Sequence, residues 1–354
     1  LGLTRIEALL EKLDHPERRF RSVHVTGTNG KGSTSACIAS ILKEAGIRTG
    51  LYTSPHLEDY PERIRIDDKD ISREELAEVL EDTRQAAERM KAEGSESPTE
   101  FEVLTAAAFL WFARKEAEFV VVEVGLGGLL DSTNVIIPEV SVITNVTLEH
   151  ADKCGGTLEG IAEHKAGIIK QGKPVITGAA GMALSIIERT ASDKETQCLV
   201  LNRDFWSSSG VYTKTKRRQS FVFHEQKDHA SLNCDIGLLG RHQVDNASLA
   251  VAACRVLAGS EPRLTDVAIQ HGLAKTVWPG RFEVLSGEPE IVLDGAHNPD
   301  GIRTLRQTLD EVYPKRSLVF LFGVLADKSH KEMILTLFHP KDRVVVVRPN
   351  SPRA

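Results

Sequence analysis

A glycine-rich segment near the start of the sequence, HVTGTNGKGSTSA (residues 24–36), contains the residue types that bind phosphate groups. Its glycines let backbone amides approach a phosphate closely, Lys31 supplies a positive charge, and Ser33 places a hydroxyl where it could ligate magnesium. The spacing departs from the common loop G-x-x-x-x-G-K-[ST], because the first glycine is displaced and Gly32 separates Lys31 from Ser33. The segment therefore predicts a variant nucleotide loop; the alternative is a glycine-rich turn with a chance lysine.

A second glycine-rich segment, VVVEVGLGGLLDSTN (residues 120–134), begins with a hydrophobic run that ends in one acid, Glu123. In a parallel sheet this carboxylate would lie at the carboxyl edge, where a magnesium ion beside phosphates needs an oxygen ligand. The glycines that follow would leave room for a ligand. The alternative is a buried acid that accepts hydrogen bonds from turn amides.

Two further candidates follow along the chain. Glu149 and His150 end the segment TNVTLEH (residues 144–150), which again places polar side chains at the carboxyl end of a strand. Lys165 lies inside an otherwise helical segment, EHKAGIIK (residues 163–170). The alternatives are a structural histidine and a lysine that faces solvent, and residue statistics alone favour the solvent-facing lysine.

Short β-branched runs alternate with helical stretches along most of the chain, a pattern typical of a mostly parallel sheet covered by helices. The glycine-rich loop would then join a strand to a helix that begins at Ser33. Ser72 and Glu75 predict a capping box for a helix that ends near Glu93. The next helix is predicted over residues 101–117.

Two changes in this pattern predict the domain organisation. Residues 201–236 show hairpin-like alternation without a helical segment, which indicates a small β insertion. The turn signal at residues 277–280 predicts a hinge between an amino-terminal unit, 1–276, and a carboxyl-terminal unit, 281–354. The second unit is expected to start a new β-α-β series at Phe282 and, with about three strands, to be an incomplete doubly wound domain.

Composition limits the classes of function. The chain has 354 residues, 41% hydrophobic and 27% charged, which predicts a soluble globular protein of two domains. A net charge of −6 gives no general attraction to nucleic acid, and no apolar run is long enough to span a bilayer. The five cysteines form no C-x-x-C pair and are expected to be small buried hydrophobes rather than zinc ligands or disulfides. We expect a cytoplasmic monomer without nucleic acid or membrane partners.

A series of segments gives the chain a family resemblance that extends from His24 to the final SPRA. In order, the segments are HVTGTNGKGSTS, GLYTSPHL, EVGLGGLLDSTN, HKAGII, GRHQVDNA, WPGRFE, LDGAHNPDG and GVLADKSHKEM. Their order and spacing resemble those of folylpolyglutamate synthase and dihydrofolate synthase, members of the Mur ligase superfamily. The resemblance implies an α/β fold with a P-loop-containing, doubly wound central domain, a small β insertion and a second Rossmann-like domain.

The resemblance also implies a reaction. In that superfamily the variant loop G-T-x-G-K-[GT]-[ST] serves the transfer of phosphate from ATP to a carboxylate. The resulting acyl phosphate is attacked by an amine, and an amide forms with release of ADP and phosphate. The implied substrates are ATP, L-glutamate and a folate-type acceptor, dihydropteroate or tetrahydrofolate with its polyglutamates, and the implied cofactor is Mg²⁺, as two ions.

The site residues that the resemblance implies fall into four groups. The catalytic group is Lys31, Lys165 and His297. The ATP contacts are Thr28, Asn29, Gly30, Lys31, Gly32, Ser33, Thr34, Asn246, Arg281, Asp294 and His297. The magnesium ligands are Ser33, Ser54, Glu123, His150 and Lys165, the lysine as a carbamate that turns a cation into an oxygen ligand. The folate-side residues are Thr53, Pro55, His56 and Asp131.

Three positions depart from the family pattern. Glu149 stands where an aspartate is common, Leu129 replaces a frequently basic residue, and Pro61 replaces an asparagine. These changes concern the metal and folate sides of the site. Two alternatives to a folate ligase stay open: a Mur-type cell-wall amino acid ligase, which typically carries a UDP-binding domain before the loop, and a nucleotide-dependent switch, which would need neither His150 nor Lys165.

Overall fold

The computed structural model describes residues 2–148, 154–208, 211–213, 217–227, 229–326 and 328–350. The α-helices are α1 (Thr4–Lys12), α2 (Lys31–Glu44), α3 (Arg73–Ala92), α4 (Glu100–Arg114), α5 (Leu158–Ala166), α6 (Gly181–Asp193), α7 (Arg241–Ala258), α8 (Asp266–Lys275), α9 (Pro299–Val312) and α10 (His330–Leu337). The strands are β1 (Arg21–Thr26), β2 (Thr49–Tyr52), β3 (Ile64–Ile66), β4 (Lys69–Asp70), β5 (Phe119–Glu123), β6 (Val140–Ile143), β7 (Val175–Thr177), β8 (Cys198–Val200), β9 (Phe205–Ser207), β10 (Val211–Thr213), β11 (Arg218–Glu225), β12 (Ser231–Ile236), β13 (Glu283–Leu285), β14 (Ile291–Leu293), β15 (Val319–Phe322) and β16 (Arg343–Val346).

An eight-stranded sheet forms the centre of the amino-terminal unit, with the strand order β4-β3-β2-β5-β1-β6-β7-β8. Strands β2, β5, β1, β6, β7 and β8 run parallel, and the short strands β3 and β4 extend one edge antiparallel. The α/β fold with a mostly parallel sheet, predicted from the alternating pattern, is confirmed. Because β1 lies between β5 and β6, the loop after β1 opens between the carboxyl ends of both neighbours.

Both faces of this sheet are buried, which explains the near-continuous apolar runs of its strands. Val23 and Val25 of β1 pack on one face with the buried side of α2, and Val120 and Val122 of β5 pack on the other with α4. Helix α2 is enclosed over most of its length, with every residue from Ser33 to Leu42 buried. A helix that is buried all round holds its amino terminus firmly, which matters because the glycine-rich loop leads into it.

Several predicted boundaries differ by a few residues. Helix α2 begins at Lys31 rather than Ser33, because Gly30 takes a left-handed conformation (φ 85°) and acts as its amino cap. Helix α4 begins one residue earlier than predicted, because Thr99 forms a capping box with Glu102, and it ends at Arg114. The cap predicted at Ser72 is present, and its side chain accepts from the amide of Glu75. The pattern did not predict β8 or the β3–β4 pair, which are too short to show alternation.

The region predicted as a β insertion contains β9, β10, β11 and β12, which form an antiparallel sheet. None of the five cysteines, all of which the structure describes, is in a disulfide, and four of them are buried, as expected for small core residues. Among the described residues, no helix is long and apolar enough to cross a membrane.

The carboxyl-terminal unit differs from its prediction at the first step. Strands β13 and β14 pair antiparallel as a hairpin, so the series that starts at Phe282 is not β-α-β. Helix α9 then leads to β15, and α10 connects β15 to β16 in a parallel pair. The sequence missed the hairpin because its strands are only three residues long and one carries a single half-buried valine between exposed residues.

Candidate active site

A cavity of about 490 Å³ lies at the carboxyl ends of β1, β2 and β5, between the large sheet and the carboxyl-terminal unit. The glycine-rich loop forms one wall, and the loop before α9 and the first turns of α9 form the opposite wall. This is where a doubly wound sheet binds ligands, at the crevice outside the strand ends.

The glycine-rich loop has the shape of a phosphate cradle. Helix α2 directs its amino terminus at the cavity, where unpaired backbone amides favour an anion. The Lys31 Nζ lies inside the loop and donates to the carbonyl oxygens of Gly27 (3.0 Å) and Thr28 (3.1 Å). A Cβ at Gly30 would lie 2.3 Å from the Asn246 Oδ1, so this position accepts only glycine without a shift of Asn246. The glycine-rich pattern therefore reflects a close approach between the loop and α7.

The segment after β6 supports the loop, and sequence reasoning missed its role. The Asn145 Oδ1 accepts hydrogen bonds from the backbone amides of Thr28 (3.2 Å) and Asn29 (2.9 Å). The Thr144 hydroxyl donates to the Asn29 carbonyl oxygen at 2.6 Å. The Thr28 hydroxyl also bonds the backbone of Thr147. These contacts fix the loop conformation; the polar segment TNVT directly after an apolar strand was the available signal.

Glu123 lies at the end of β5 with 5% of its surface exposed, and it lines the cavity. Burial raises the pKa of its carboxyl group to about 7, although the charge of Lys31 and the amide of Ser54 both favour the ionised form. The Ser54 amide donates to Oε2 at 3.3 Å. Glu123 therefore combines both interpretations of the sequence: a buried acid bonded to an amide, and a carboxylate that a cation in the cavity would stabilise.

Lys165 is buried, with 5% of its surface exposed, and it lines the same cavity. The alternative of a solvent-facing lysine is wrong, because α5 packs directly against the second glycine-rich segment. A Cβ at Gly128 would lie 2.6 Å from the carbonyl oxygen of His164 and 3.2 Å from the Cα of Lys165. The glycines in GLGG therefore allow α5 to approach closely and bring Lys165 to the strand ends.

The predicted magnesium ligands Ser33, Ser54, Glu123 and Lys165 all line this cavity, whereas His150 and the neighbouring Glu149 lie outside the described residues. In the part of the chain that the structure describes, no group of three or more His, Cys, Asp or Glu side chains is arranged to hold a metal ion. Of the four lining residues, only Glu123 has a side chain of these four types. A magnesium site here would therefore also need the hydroxyl oxygens of the two serines and a carbamate on Lys165.

The carboxyl-terminal unit contributes Arg281, Asp294 and His297 to the opposite wall, as the sequence predicted for the second side of the cleft. Both carboxylate oxygens of Asp294 accept backbone amides, from Phe282 and Ala296, each at 2.8 Å. The His297 Nδ1 lies 2.9 Å from the carbonyl oxygen of Gly295. Asp294 thus ties the turn that carries His297 to the segment that follows Arg281.

Comparison with known proteins places this geometry in a family. Residues 25–254 match the Mur ligase middle domain, and residues 280–354 match the Mur ligase, glutamate ligase domain. The chain is 39% identical over 357 residues to folylpolyglutamate synthase of Lacticaseibacillus casei, covering 99% of this chain and 82% of the relative. It is 37% identical over 347 residues to dihydrofolate synthase/folylpolyglutamate synthase of Bacillus subtilis, covering 95% of this chain and 78% of the relative. This chain belongs to the folylpolyglutamate synthase and dihydrofolate synthase family of Mur ligases.

Solved structures agree with this assignment. The apo form of L. casei FPGS superposes with a TM-score of 0.91 at 37% identity, covering 100% of this chain and 85% of that chain. A Mycobacterium tuberculosis folylpolyglutamate synthase, solved with ADP and AMPPCP, gives a TM-score of 0.91 at 33% identity, covering 99% and 80%. An FPGS-AMPPCP-folate complex gives a TM-score of 0.89 at 37% identity, covering 97% and 85%. The family resemblance and the fold class stated from the sequence are confirmed.

Within this Mur ligase, not every implied nucleotide residue reaches the cavity. Thr28, Asn29, Gly30, Lys31, Gly32, Ser33 and Asn246 line it. The Thr34 side chain does not, because it is fully buried in the first turns of α2, where its amide donates to Gly30. The Asn29 Oδ1 accepts from Asn298 Nδ2 at 2.9 Å, so this oxygen faces a protein partner. The contact of Thr34 with ATP stays a prediction of the family resemblance.

Of the four residues predicted on the folate side, only Pro55 lines the cavity. Thr53 is buried, and its amide donates to Arg63, whose Nε in turn donates to the Nδ1 of His56 at 3.0 Å. Asp131 faces its own turn and accepts from the Leu126 amide (2.8 Å) and the Thr133 hydroxyl (2.5 Å). Asp131 therefore holds the GLGG turn in this structure, and its contact with the acceptor stays a prediction.

Proposed function

We propose that this Mur ligase uses ATP to join L-glutamate to the carboxylate of a folate-type acceptor. The observation that carries the proposal is the single cavity in which the phosphate cradle, Glu123, Lys165 and the turn with His297 face one another. The relatives named folylpolyglutamate synthase and dihydrofolate synthase, and the related complex with AMPPCP and folate, support the choice of substrates. The cell-wall alternative is not favoured by these relatives.

The reaction we propose has two steps. The acceptor carboxylate first attacks the γ-phosphorus of ATP, which forms an acyl phosphate and breaks the bond to ADP. The amine of glutamate then attacks the acyl carbon, phosphate leaves, one proton is lost from nitrogen, and an amide remains. Phosphoryl transfer depends mainly on positioning and charge stabilisation, so this chain needs no covalent intermediate of its own.

The loop residues would serve the first step. Lys31 holds its ammonium between two loop carbonyls, and from this position it can turn towards the terminal phosphates and neutralise charge on the transferred group. The amides at the start of α2 would bind the phosphate oxygens. Arg281 and His297 approach from the other wall, so we propose that they complete the nucleotide site from the carboxyl-terminal unit.

We propose that Glu123, Ser33, Ser54 and Lys165, together with His150, hold Mg²⁺. The residues fit this cation, because Glu123, Ser33 and Ser54 present oxygen ligands to one cavity. Burial raises the pKa of Glu123 to about 7, and a bound cation would favour its ionised form. A bound Mg²⁺ would neutralise phosphate charge during transfer. When ionised, Glu123 would supply a negative charge to the cation, and the Ser54 amide donates to its Oε2.

Lys165 can serve as an oxygen ligand only after modification. We propose that its neutral amine adds carbon dioxide, which forms an N–C bond, releases one proton and leaves a carbamate with two oxygens. Its position supports the proposal, because the side chain is only 5% exposed and lines the cavity at the strand ends beside Glu123 and Ser54.

An acyl phosphate must be protected from water, and the arrangement of the two units could provide this. We propose that residues 1–276 and 281–354 close on each other about a hinge at 277–280. The Trp278 ring in this hinge packs on Gly32, where a Cβ would lie 2.9 Å from the indole Nε1. Closure would therefore be transmitted directly to the start of α2.

For the acceptor, we propose that dihydropteroate and reduced folates both serve. Both present a carboxylate to the same phosphoryl group and differ in how the pterin end is bound. Leu129 and Pro61 lie in the segments that would sense this difference, and Leu129 is 44% exposed beside Gly167. The cytoplasmic location and the monomeric state stay predictions of the sequence.

An ADP-release assay tests the proposal. Glutamate is combined in turn with dihydropteroate, tetrahydrofolate and a UDP-muramyl acceptor, and controls omit either glutamate or the acceptor. We expect ADP release and amide product with dihydropteroate, and also with tetrahydrofolate. Release with the UDP-muramyl acceptor alone would instead identify a cell-wall ligase, and nucleotide binding without ligation of any acceptor would identify a switch.

A further inference from the structure

A hydrogen bond joins the glycine-rich loop to the carboxyl-terminal unit beside the cavity. The Nδ2 of Asn298 donates to the Oδ1 of Asn29 at 2.9 Å, although the two residues are 269 positions apart in the chain. Asn298 is 6% exposed and immediately follows His297. The bond therefore joins the cradle to the turn that carries a candidate nucleotide residue.

The orientation of the Asn298 amide follows from its place at the start of α9. Asn298 is the amino cap of this helix, and its Oδ1 accepts the amide of Gly301 at 2.7 Å. Once the oxygen is engaged there, the Nδ2 group is left to face the loop. One side chain thus both caps α9 and donates across the cleft, which a serine or threonine cap could not do.

The backbone of Asn29, the partner of Asn298, is held by two hydrogen bonds. The Asn29 amide donates to Asn145 at 2.9 Å, and its carbonyl oxygen accepts from Thr144 at 2.6 Å. Both of those residues directly follow β6, so Asn29 is anchored to the centre of the large sheet. The Asn29–Asn298 bond therefore connects the amino cap of α9 to a residue whose backbone is bonded to the large sheet.

We infer that Asn298 is a positioning residue that sets the first turn of α9, and with it His297, against the phosphate cradle when the two units meet. Asp300, Gly301, Arg303 and Thr304 of α9 also line the cavity, so the bond fixes a wall of the site. The inference rests on the proposed function for its effect on ligation. A misplacement of about 1 Å at such a site can reduce a rate by about 10²-fold.

Two substitutions separate the bridge from the cap. Asn298→Ser keeps a hydroxyl that can accept from Gly301 but is too short to reach Asn29, whereas Asn298→Ala loses both contacts. The affinity for ADP is measured by calorimetric titration, and thermal unfolding is followed for each variant. We expect both variants to bind ADP about three- to tenfold more weakly, the effect of one neutral hydrogen bond. Asn298→Ala, which also loses the cap, should unfold at a lower temperature than Asn298→Ser.

Thr265→Ala is the matched control, because Thr265 caps α8 through the amide of Ala268 and lies outside the cavity lining. It should lower the unfolding temperature and leave ADP binding unchanged. If Asn298 only caps α9, Asn298→Ser will bind ADP like the unmodified protein, which overturns the inference.

A double-variant comparison adds a second check. Asn29→Ala combined with Asn298→Ser should weaken ADP binding no more than the stronger single variant, because both remove the same bond. Fully additive losses would contradict the bridge. ADP affinity does not require ligation, so an unmodified protein that binds ADP but ligates no acceptor would refute the proposed function while leaving this test intact.

Discussion

Glu123 ends β5, Ser54 follows the adjacent strand β2, and the Ser54 amide donates to the Glu123 Oε2 at 3.3 Å. The pairing places a buried carboxyl group, whose pKa burial raises to about 7, against the segment that follows β2. This hydrogen bond joins the end of β5, beside the glycine-rich loop, to the segment after β2, where the acceptor is expected to bind. The charge state of the Glu123 carboxyl group should therefore respond both to pH and to a bound cation.

The first prediction concerns Glu123 and pH. In the folded chain its pKa is raised from 4.5 to about 7, so between these values the folded state holds this proton more tightly than the unfolded chain. Its contribution to the free energy of unfolding is thus greatest in acid and is lost as the pH rises through 7. A shift of this size corresponds to at most about 3 kcal/mol.

Glu123→Gln removes that dependence. Without magnesium, the variant should match the unmodified protein near pH 4 and exceed it in stability at pH 8, as measured by urea unfolding. With magnesium and substrates, it should lose ligation. An identical stability difference at both pH values would show that Glu123 does not titrate in this range.

The second prediction is that Lys31→Ala abolishes ligation without unfolding the protein. Removal of one preorganised charge stabiliser should reduce kcat by about 10²-fold or more. Lys43→Ala on the same helix is the matched control, because its ammonium pairs with Asp68 at the surface. ADP release and thermal unfolding are compared; near-normal turnover of Lys31→Ala would refute a phosphate role for the loop.

A third prediction tests the carbamate at Lys165. Protein equilibrated with ¹³C-bicarbonate should show a carbamate carbon resonance that Lys165→Ala lacks, and Lys173→Ala, whose ammonium pairs with Glu139, should retain it. Lys165→Ala should lose activity and regain part of it with a short carboxylate, which replaces the missing oxygen ligand. Full activity of Lys165→Ala, with no resonance in the unmodified protein, would leave the lysine structural.

The fourth prediction uses the contact between Gly32 and Trp278. A Cβ at Gly32 would lie 2.9 Å from the indole Nε1, so Gly32→Ala should force the hinge away from the loop and reduce ligation. Adding Trp278→Phe removes the indole nitrogen and the fused ring, which relieves part of the conflict and should restore part of the activity. Gly237→Ala, where the nearest atom is 3.6 Å away, should behave normally. A Gly32→Ala variant that Trp278→Phe makes worse would show that the contact is not the cause.

The sequence by itself determined the local chemistry. Alternating apolar runs predict a parallel sheet, and a polar residue directly after such a run must lie at the sheet's carboxyl edge, which located Glu123 correctly. The glycine-rich loop with Lys31 was also identified, because residues close in sequence there remain close in space. These inferences needed only strand direction and the fixed geometry of a strand followed by a helix.

Only the tertiary structure decided which side chains meet. Lys165 is buried, against residue statistics, because a glycine turn from another segment lets α5 approach. Asp131 faces its own turn rather than the cavity, and Asn145 supports the loop from the next strand. Asn298 reaches Asn29 across 269 residues. Periodicity fixes which face of an element is apolar, but the direction of a polar side chain in a loop depends on partners that folding brings from distant parts of the chain.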